Sequence, residues 1–429
     1  MAQIKTKTLN DICELIVDCE HKTAPTQVKG YPSIRTPNIG RGRLILDNVN
    51  RVSEETYKAW TKRAIPQADD LILAREAPIG NVAIIPNNLK VCLGQRTVLI
   101  RPNQNKVEPN YLVYLLIGDE IQGKILSVSN GATVHHLNMK DIRNLELPEL
   151  PSLHTQRKIA AILSAYDDLI ENNTRRIEIL EEMARSLYRE WFVKFRFPGH
   201  EQVKMVDSEL GLIPEGWKVI SLGQILDIKH GYAFKGEYFS KEPTSDILLT
   251  PGNFKFGGGF KDDKFKYYKG LVSDEFVLST SDLLVTMTDL SKEGDTLGYP
   301  AFVPPSKELR FLHNQRLGKI ILHNPQLGLN HLYHIFCSDS YRHHILASAT
   351  GATVKHTAPD RIKSFSIALP PPEISNKFET ITSSFSRKII LLNQKKQNLR
   401  QTRDLLLPKL ISGEIDVENL DINTGEIAA

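Results

Sequence analysis

The chain contains itself twice, and this limits its folds more than any other property. Gly131-Ala132-Thr133-Val134-His135-His136 returns as Gly351-Ala352-Thr353-Val354-Lys355-His356 at an offset of 220, and Gln95-Arg96 returns as Gln315-Arg316 at the same offset. Two separate motifs held in register over more than thirty residues mark an internal duplication. Thr36-Pro37 with Thr250-Pro251, Asp70-Leu71 with Asp282-Leu283, and Leu147-Pro148 with Leu369-Pro370 follow in the same order, their offsets shifting as loop insertions require. Each half opens on a short stretch read as helix, Leu9 to Val17 and Leu222 to Ile228. It continues through β-like runs such as Leu71 to Ala74 and Thr97 to Arg101, and closes on a Leu-Pro step. The expected fold class is α+β, present twice with a pseudo-two-fold relation.

A long segment of helical period follows each Leu-Pro step. In the first, Leu163, Ile170, Ile177, Ala184 and Trp191 recur every seven residues, and Ile159, Tyr166, Leu180 and Leu187 fill the position four residues earlier, with polar Asn173 interrupting. In the second, Phe378, Phe385, Leu392, Leu399 and Leu406 recur every seven; residues 385 to 406 lie 222 beyond 163 to 184, so the helices share one register. Residues 157–190 hold six Lys/Arg against seven Asp/Glu, and residues 378–409 hold seven against two. Opposite charge balance and two apolar stripes favour an antiparallel coiled coil, with Asn173 and Lys395 as polar seam positions that fix register; the alternative is that each helix docks on its own domain. Between the halves, Phe197 to Trp217 is rich in breakers and reads as a linker.

With 429 residues there is room for two to four domains, each with its own core, and 41% hydrophobic with 24% charged residues describes packed globular units. The sequence has no apolar run of about 20 residues and no signal-peptide pattern at its start, so a cytoplasmic protein with no membrane contact is expected. Cys13, Cys19, Cys92 and Cys337 form no C-x-x-C pair, which argues for reduced thiols rather than a disulfide framework or a zinc site. A net charge of +4 permits nucleic-acid binding without requiring it.

Catalytic motifs are missing. The chain has no N-P-P-[YF] or D-P-P-[YF] tetrapeptide to hold an adenine amino group. Phe256-Gly257-Gly258-Gly259-Phe260 resembles a methyl-donor loop only superficially, and the segment Gly118 to Lys124 fails as a phosphate loop because Ile125 supplies no hydroxyl. The pairs His135-His136 and His343-His344 lack a cysteine or carboxylate set at ligand spacing, so no catalytic residues and no metal site are assigned.

This duplicated domain alternating with two heptad helices resembles the specificity subunit of type I restriction-modification systems, over nearly the whole chain. The motifs that carry the resemblance are Arg35-Thr36-Pro37-Asn38-Ile39, Gly94-Gln95-Arg96, Gly131-Ala132-Thr133, Leu145-Glu146-Leu147-Pro148 and Gln156-Arg157-Lys158-Ile159. To these are added Gly211-Leu212-Ile213-Pro214-Glu215-Gly216-Trp217 and Leu407-Pro408-Lys409-Leu410-Ile411-Ser412-Gly413. The resemblance implies target recognition domains over 1–150 and 218–372, spacer helices over 151–197 and 373–413, a linker over 198–217 and a tail over 414–429. It implies a non-catalytic subunit that reads a two-part double-stranded DNA target and docks two methylation subunits and restriction subunits. S-adenosylmethionine, and ATP with magnesium, are expected on those partners, with no cofactor on this chain. A solitary two-domain DNA-binding regulator is the alternative.

Arg can read guanine and Asn adenine through paired hydrogen bonds in the major groove. The first candidates for base or phosphate contact are Arg35, Asn38, Arg41 and Arg43, with Asn253 and Lys255 in the second half, where the turn at Thr250-Pro251-Gly252-Asn253 reads as one residue longer. Gln95, Arg96, Gln315 and Arg316 flank strand-like runs and serve either as contacts or as loop-orienting residues. Thr133 with His135, and Thr353 with Lys355, sit beside a glycine suited to close backbone approach and form a second tier.

Overall fold

A computed structural model describes residues 7–129, 136–291, 293–323 and 327–424. The chain divides into two units, Met1–Asn172 with Lys395–Ala429, and Asn173–Gln394.

In the first unit a five-stranded sheet runs in the order Cys13–Asp18, Thr97–Pro102, Leu71–Ala74, Val82–Ile84, Gly42–Arg43. The run Leu71 to Ala74 is entirely apolar because both of its faces are covered. Leu71 and Leu73 join Leu9, Ile12, Tyr111 and Leu115 on one side, while Ile72 and Ala74 join Ile34, Ile39 and Leu99 on the other. Full burial of each large aliphatic side chain contributes about 1.5 to 3 kcal/mol, so this strand anchors the unit. The opening stretch is helical only over Leu9–Ile12 and turns to strand at Cys13. Residues 13 to 18 pair antiparallel with Thr97–Pro102, and that pairing outweighs their helical spacing.

Both spacer helices contribute to this unit. Ile159, Ala160 and Leu163 of the helix Leu153–Tyr188 enter the same core as Leu407 and Leu410 of the helix Pro372–Ile411. Lys158 Nζ donates to the Glu418 carbonyl at 2.7 Å, and Asp167 pairs with Arg403. Numbers rise along one partner as they fall along the other, so the helices pair antiparallel here. Tyr114, from the helix Pro109–Ile117, donates to Asp167 Oδ2 at 2.6 Å and fastens the globular part to the pair. Val417, in the segment read as a tail, is buried in the same core.

The second unit repeats the plan. Leu226–His230 pairs antiparallel with Leu317–Leu322, which pairs with Leu283–Thr286 and then Pro300–Phe302. A second sheet follows the order Phe239–Ser240, Lys266–Tyr268, Asp246–Leu249, Arg310–His313, Val277–Leu278. The segment from Leu222 is a single 3-10 turn leading into a strand, again not a longer helix. Phe378 packs on Tyr188, Trp191 and Phe192, the last two on a π-helical turn, Arg189–Val193, that extends the first spacer helix. Glu379 accepts from the backbone N–H groups of Asn330 and His331, capping the helix Leu329–Phe336. The expected linker is an ordered hairpin, Met205–Ser208 with Gly211–Pro214, whose Ile213 is buried with Phe197 and Trp217. Breaker residues there mark turns of a folded element.

Along the seam, Ile159, Leu163, Asn173, Ile177, Ala184 and Leu392 are buried, while Tyr166, Ile170, Leu180, Leu187, Phe385, Leu399 and Leu406 are half-buried. Lys395 is exposed, so of the two polar seam positions only Asn173 lies inside. At the C-terminal end Leu407 and Leu410 bury more fully than Leu406. The straight α-helix drifts about 20° per heptad, which moves the buried face by one residue.

Candidate nucleic-acid interface

In the first unit the polar turn after the strand Tyr31–Ile34 is built by Asn38. Its Oδ1 accepts from the Arg35 N–H at 3.2 Å and its Nδ2 donates to the Ile45 carbonyl at 3.1 Å. Both ends of the buried amide are used inside the loop, so Asn38, a candidate for base or phosphate contact, braces its own loop here. Arg41 and Arg43 also have partners within their own unit. Arg41 Nη2 donates to the Ile117 carbonyl at 2.6 Å, and Arg43 pairs with Asp168 and Glu171 on the spacer helix. These two arginines clamp the loop to helices of their own unit.

Arg35 remains exposed. The Gly94 N–H donates to the Ile34 carbonyl at 2.7 Å, and a Cβ on Gly94 would come within 2.4 Å of Arg35 Cγ. Glycine is required there by that close approach, and it brings Arg35 beside Gln95 and Arg96. Gln95 Nε2 donates to the His21 carbonyl at 3.4 Å, and Arg96 Nε pairs with Glu76 Oε2 at 2.9 Å. Arg75, His21 and His136 complete the walls of a cleft of about 290 Å³ lined with Glu76, Gln95 and Arg96.

Arg75 is the hub of this cleft. Its Nη1 donates to Asp18 Oδ2 at 2.7 Å, its Nε to the Leu137 carbonyl at 2.8 Å, and its Nη2 lies 2.9 Å from His136 Nε2. A guanidinium only donates, so His136 Nε2 accepts and Nδ1 carries the proton that it gives to Glu76 Oε1 at 2.8 Å. Asp18, Cys19 and His21 place ligand-type atoms within 4.8 Å of one another, but Asp18 is already engaged by Arg75 and His21. Arg75, Glu76, Asp18 and His21 escaped the sequence reading. Only His136 carried a usable signal, since it lies in the repeated Gly-Ala-Thr-Val motif.

The second unit reproduces the backbone of this site. Arg75 N–H donates to the Arg96 carbonyl at 2.9 Å and Met287 N–H to the Arg316 carbonyl at 2.8 Å; Leu137 N–H meets the Arg75 carbonyl as Thr357 N–H meets that of Met287. Met287 therefore occupies the place of Arg75 and Thr288 that of Glu76. His230 stands where Asp18 does, since Asp18 pairs with Val98 and His230 with Gly318. His356 Nδ1 lies 3.2 Å from Thr288 Oγ1, the counterpart of the His136–Glu76 contact. Gln315, Arg316 and Thr353 are exposed and Lys355 is half-buried on a strand beside Asp289. Gly351, at φ +95°, carries the turn below Thr353, where a Cβ would strike the Val354 carbonyl at 1.9 Å. Thr133 and His135, in the first half, lie outside the described residues.

Asn253 is buried and fully used. Its Oδ1 accepts from the Thr250 N–H at 2.9 Å, and its Nδ2 donates to the carbonyls of Lys261 and Lys264 at 3.3 and 3.0 Å. It is thus a loop brace like Asn38. The turns Arg35–Asn38 and Thr250–Asn253 have equal length, and Ile34 and Leu249 hold matching strand registers, so Thr250 is the counterpart of Arg35. The extra residue expected in that turn is not there, and the shared Thr-Pro pairs are out of register by one. Lys255 is exposed on a separate loop held to the Pro300 carbonyl through Gly259 N–H.

Buried His313 donates from Nε2 to the Leu317 carbonyl at 2.9 Å, and burial pushes its pKa down to about 4. It takes the position of Leu93 and supports the Gln315-Arg316 turn from below.

Residues 1–182 and 214–401 match the family model described as type I restriction modification DNA specificity domain. The MjaIX type I restriction enzyme specificity subunit of Methanocaldococcus jannaschii is 29% identical over 382 residues, covering 86% of this chain and 82% of that protein. A putative MjaX specificity subunit of the same organism is 26% identical over 420 residues, covering 96% and 94%. A crystal structure of a type I restriction-modification S subunit from M. genitalium shares the fold, with a TM-score of 0.56 at 15% identity over 96% of this chain and 97% of that one. The chain therefore belongs to the type I restriction-modification DNA specificity family, with one specificity domain in each half.

Proposed function

We propose that this chain is the address-reading subunit of an adenine-specific methyltransferase and restriction complex, each domain reading one half of a bipartite double-stranded DNA target. The observation that carries this reading is the duplicated turn, Gln95-Arg96 and Gln315-Arg316, framed by the same backbone hydrogen bonds in both units. Equal scaffolds carrying unequal side chains suit two unlike half-sites. Exposed Arg35, Arg96 and His21 in one unit, and Arg316, Gln315, Lys255 and Thr353 in the other, provide donors for base edges and phosphates.

The spacer helices, 36 and 40 residues long, correspond to about 54 and 60 Å at 1.5 Å per residue, more than one turn of duplex. Helix length then sets the unread gap. Two methylation subunits would bring S-adenosylmethionine, and restriction subunits ATP and magnesium. Among the described residues no helix is long and apolar enough to cross a membrane.

Calorimetry of the purified chain with S-adenosylmethionine tests the division of labour. The expected outcome is no binding until methylation subunits are added; tight binding by this chain alone would reassign it as the methyltransferase.

A further inference from the structure

We propose that Arg96 reads a guanine in the half-site bound by the first domain, aimed by Glu76. This rests on the DNA-reading function proposed above. Three observations converge on Arg96.

Its backbone sits in the left-handed region at φ +66°, a conformation costly for a residue with a side chain and one that persists at functional positions. Its side chain is 59% exposed. Its Nε forms an ion pair with Glu76 Oε2 at 2.9 Å, and among the described residues no hydrogen bond engages its two terminal nitrogens. A guanidinium paired with a carboxylate at Nε leaves its planar terminal donors for a partner, so less side-chain freedom is lost on binding.

The brace is itself braced. Asp18 and the Leu137 carbonyl fix Arg75, Arg75 fixes the acceptor nitrogen of His136, and His136 donates to the second oxygen of Glu76. Glu76 also decides between the two kinds of DNA contact. A carboxylate 2.9 Å from the guanidinium repels a phosphate that would approach the same group, whereas the O6 and N7 edge of guanine is an uncharged pair of acceptors. The second domain lacks the whole device, with His230, Met287 and Thr288 in place of Asp18, Arg75 and Glu76. Arg316 has no carboxylate brace from that position, and its backbone is not left-handed. The guanine reading is thus confined to one half-site.

Binding selection from a randomised duplex library, using the full chain assembled with its methylation subunits, tests this with R96G, R96K and E76Q. Glycine suits φ +66°, so R96G removes the side chain without backbone strain. The expected result is a G·C pair in one half-site whose discrimination falls on the order of tenfold to a hundredfold in R96G and R96K, and less in E76Q. All other positions keep their preferences. Equal weakening on every sequence would make Arg96 a phosphate contact, and an unchanged motif would make it structural; either overturns the proposal. Should R96G fail to fold, R96K decides in the same terms. A wild-type complex that selects no bipartite motif would instead overturn the DNA-reading function itself.

Discussion

Replacing Asn38 with alanine separates a brace from a reader. The side chain makes two hydrogen bonds inside its own loop, at 3.2 Å to Arg35 N–H and 3.1 Å to the Ile45 carbonyl, and the residue is 7% exposed. Both partners lie at a surface that water reaches, so the loss is the net value of two bonds, about 1 to 3 kcal/mol. In a unit of roughly 200 residues this lowers the melting temperature by about 2 to 4 °C per kcal/mol. Asn253→Ala, at 1% exposure with bonds to Thr250, Lys261 and Lys264, should cost more, about 2 to 4 kcal/mol. Asn38→Asp retains the acceptor bond but sets a carboxylate oxygen against the Ile45 carbonyl, and should cost at least as much as alanine. Thermal unfolding together with base-resolved binding selection measures both sides of the argument. Unchanged stability in N38A, accompanied by lost preference for adenine at a single position, would refute the bracing role.

Two further outcomes follow from buried charges. Arg403→Leu removes the ion-pair partner of buried Asp167, leaving it the Tyr114 hydroxyl and the nearby charge of Arg43, and should destabilise the first unit by about 3 to 5 kcal/mol, whereas Asp167 and Arg403 replaced together by leucines should recover much of that loss in denaturant titrations. Burial holds the pKa of His331 down to about 3, and burial followed by the charge of Arg185 holds His334 at about 4. The unfolded chain binds these protons near pH 6.5 and the folded one does not, so stability is complete above that value and declines as pH falls toward 4. At pH 5 each histidine removes about 2 kcal/mol, and the second unit should melt before the first; coincident acid transitions in calorimetry would contradict this.

The sequence exposed whatever repeats and whatever is periodic. Duplicated motifs gave the two domains, and heptads gave two helices with a common register, because apolar spacing reports directly which face is buried. Pairing across the helices, such as Asp167 with Arg403, needs the fold. The site was legible in part. Gln95-Arg96 stood out because it occurs twice, but Arg75 and Glu76 have unlike counterparts in Met287 and Thr288, and comparing the halves removes them from view. The partners of Asn38, Arg41 and Arg43 were not legible for another reason. A polar loop side chain is equally able to brace its own loop or to face DNA, and only the positions of Ile45, Ile117, Asp168 and Glu171 decide the matter. The one-residue slip at Thr250-Pro251 shows the same limit, since a dipeptide identity outweighed a strand register that sequence alone does not display.

The central claim is that one chain carries two separate addresses. Its most direct test is base-resolution mapping of methylated adenines in DNA treated with this chain, methylation subunits and S-adenosylmethionine. Two short specified blocks separated by a gap of fixed length, in which no base is preferred, are expected. A single continuous motif, or methylation without sequence preference, would contradict it.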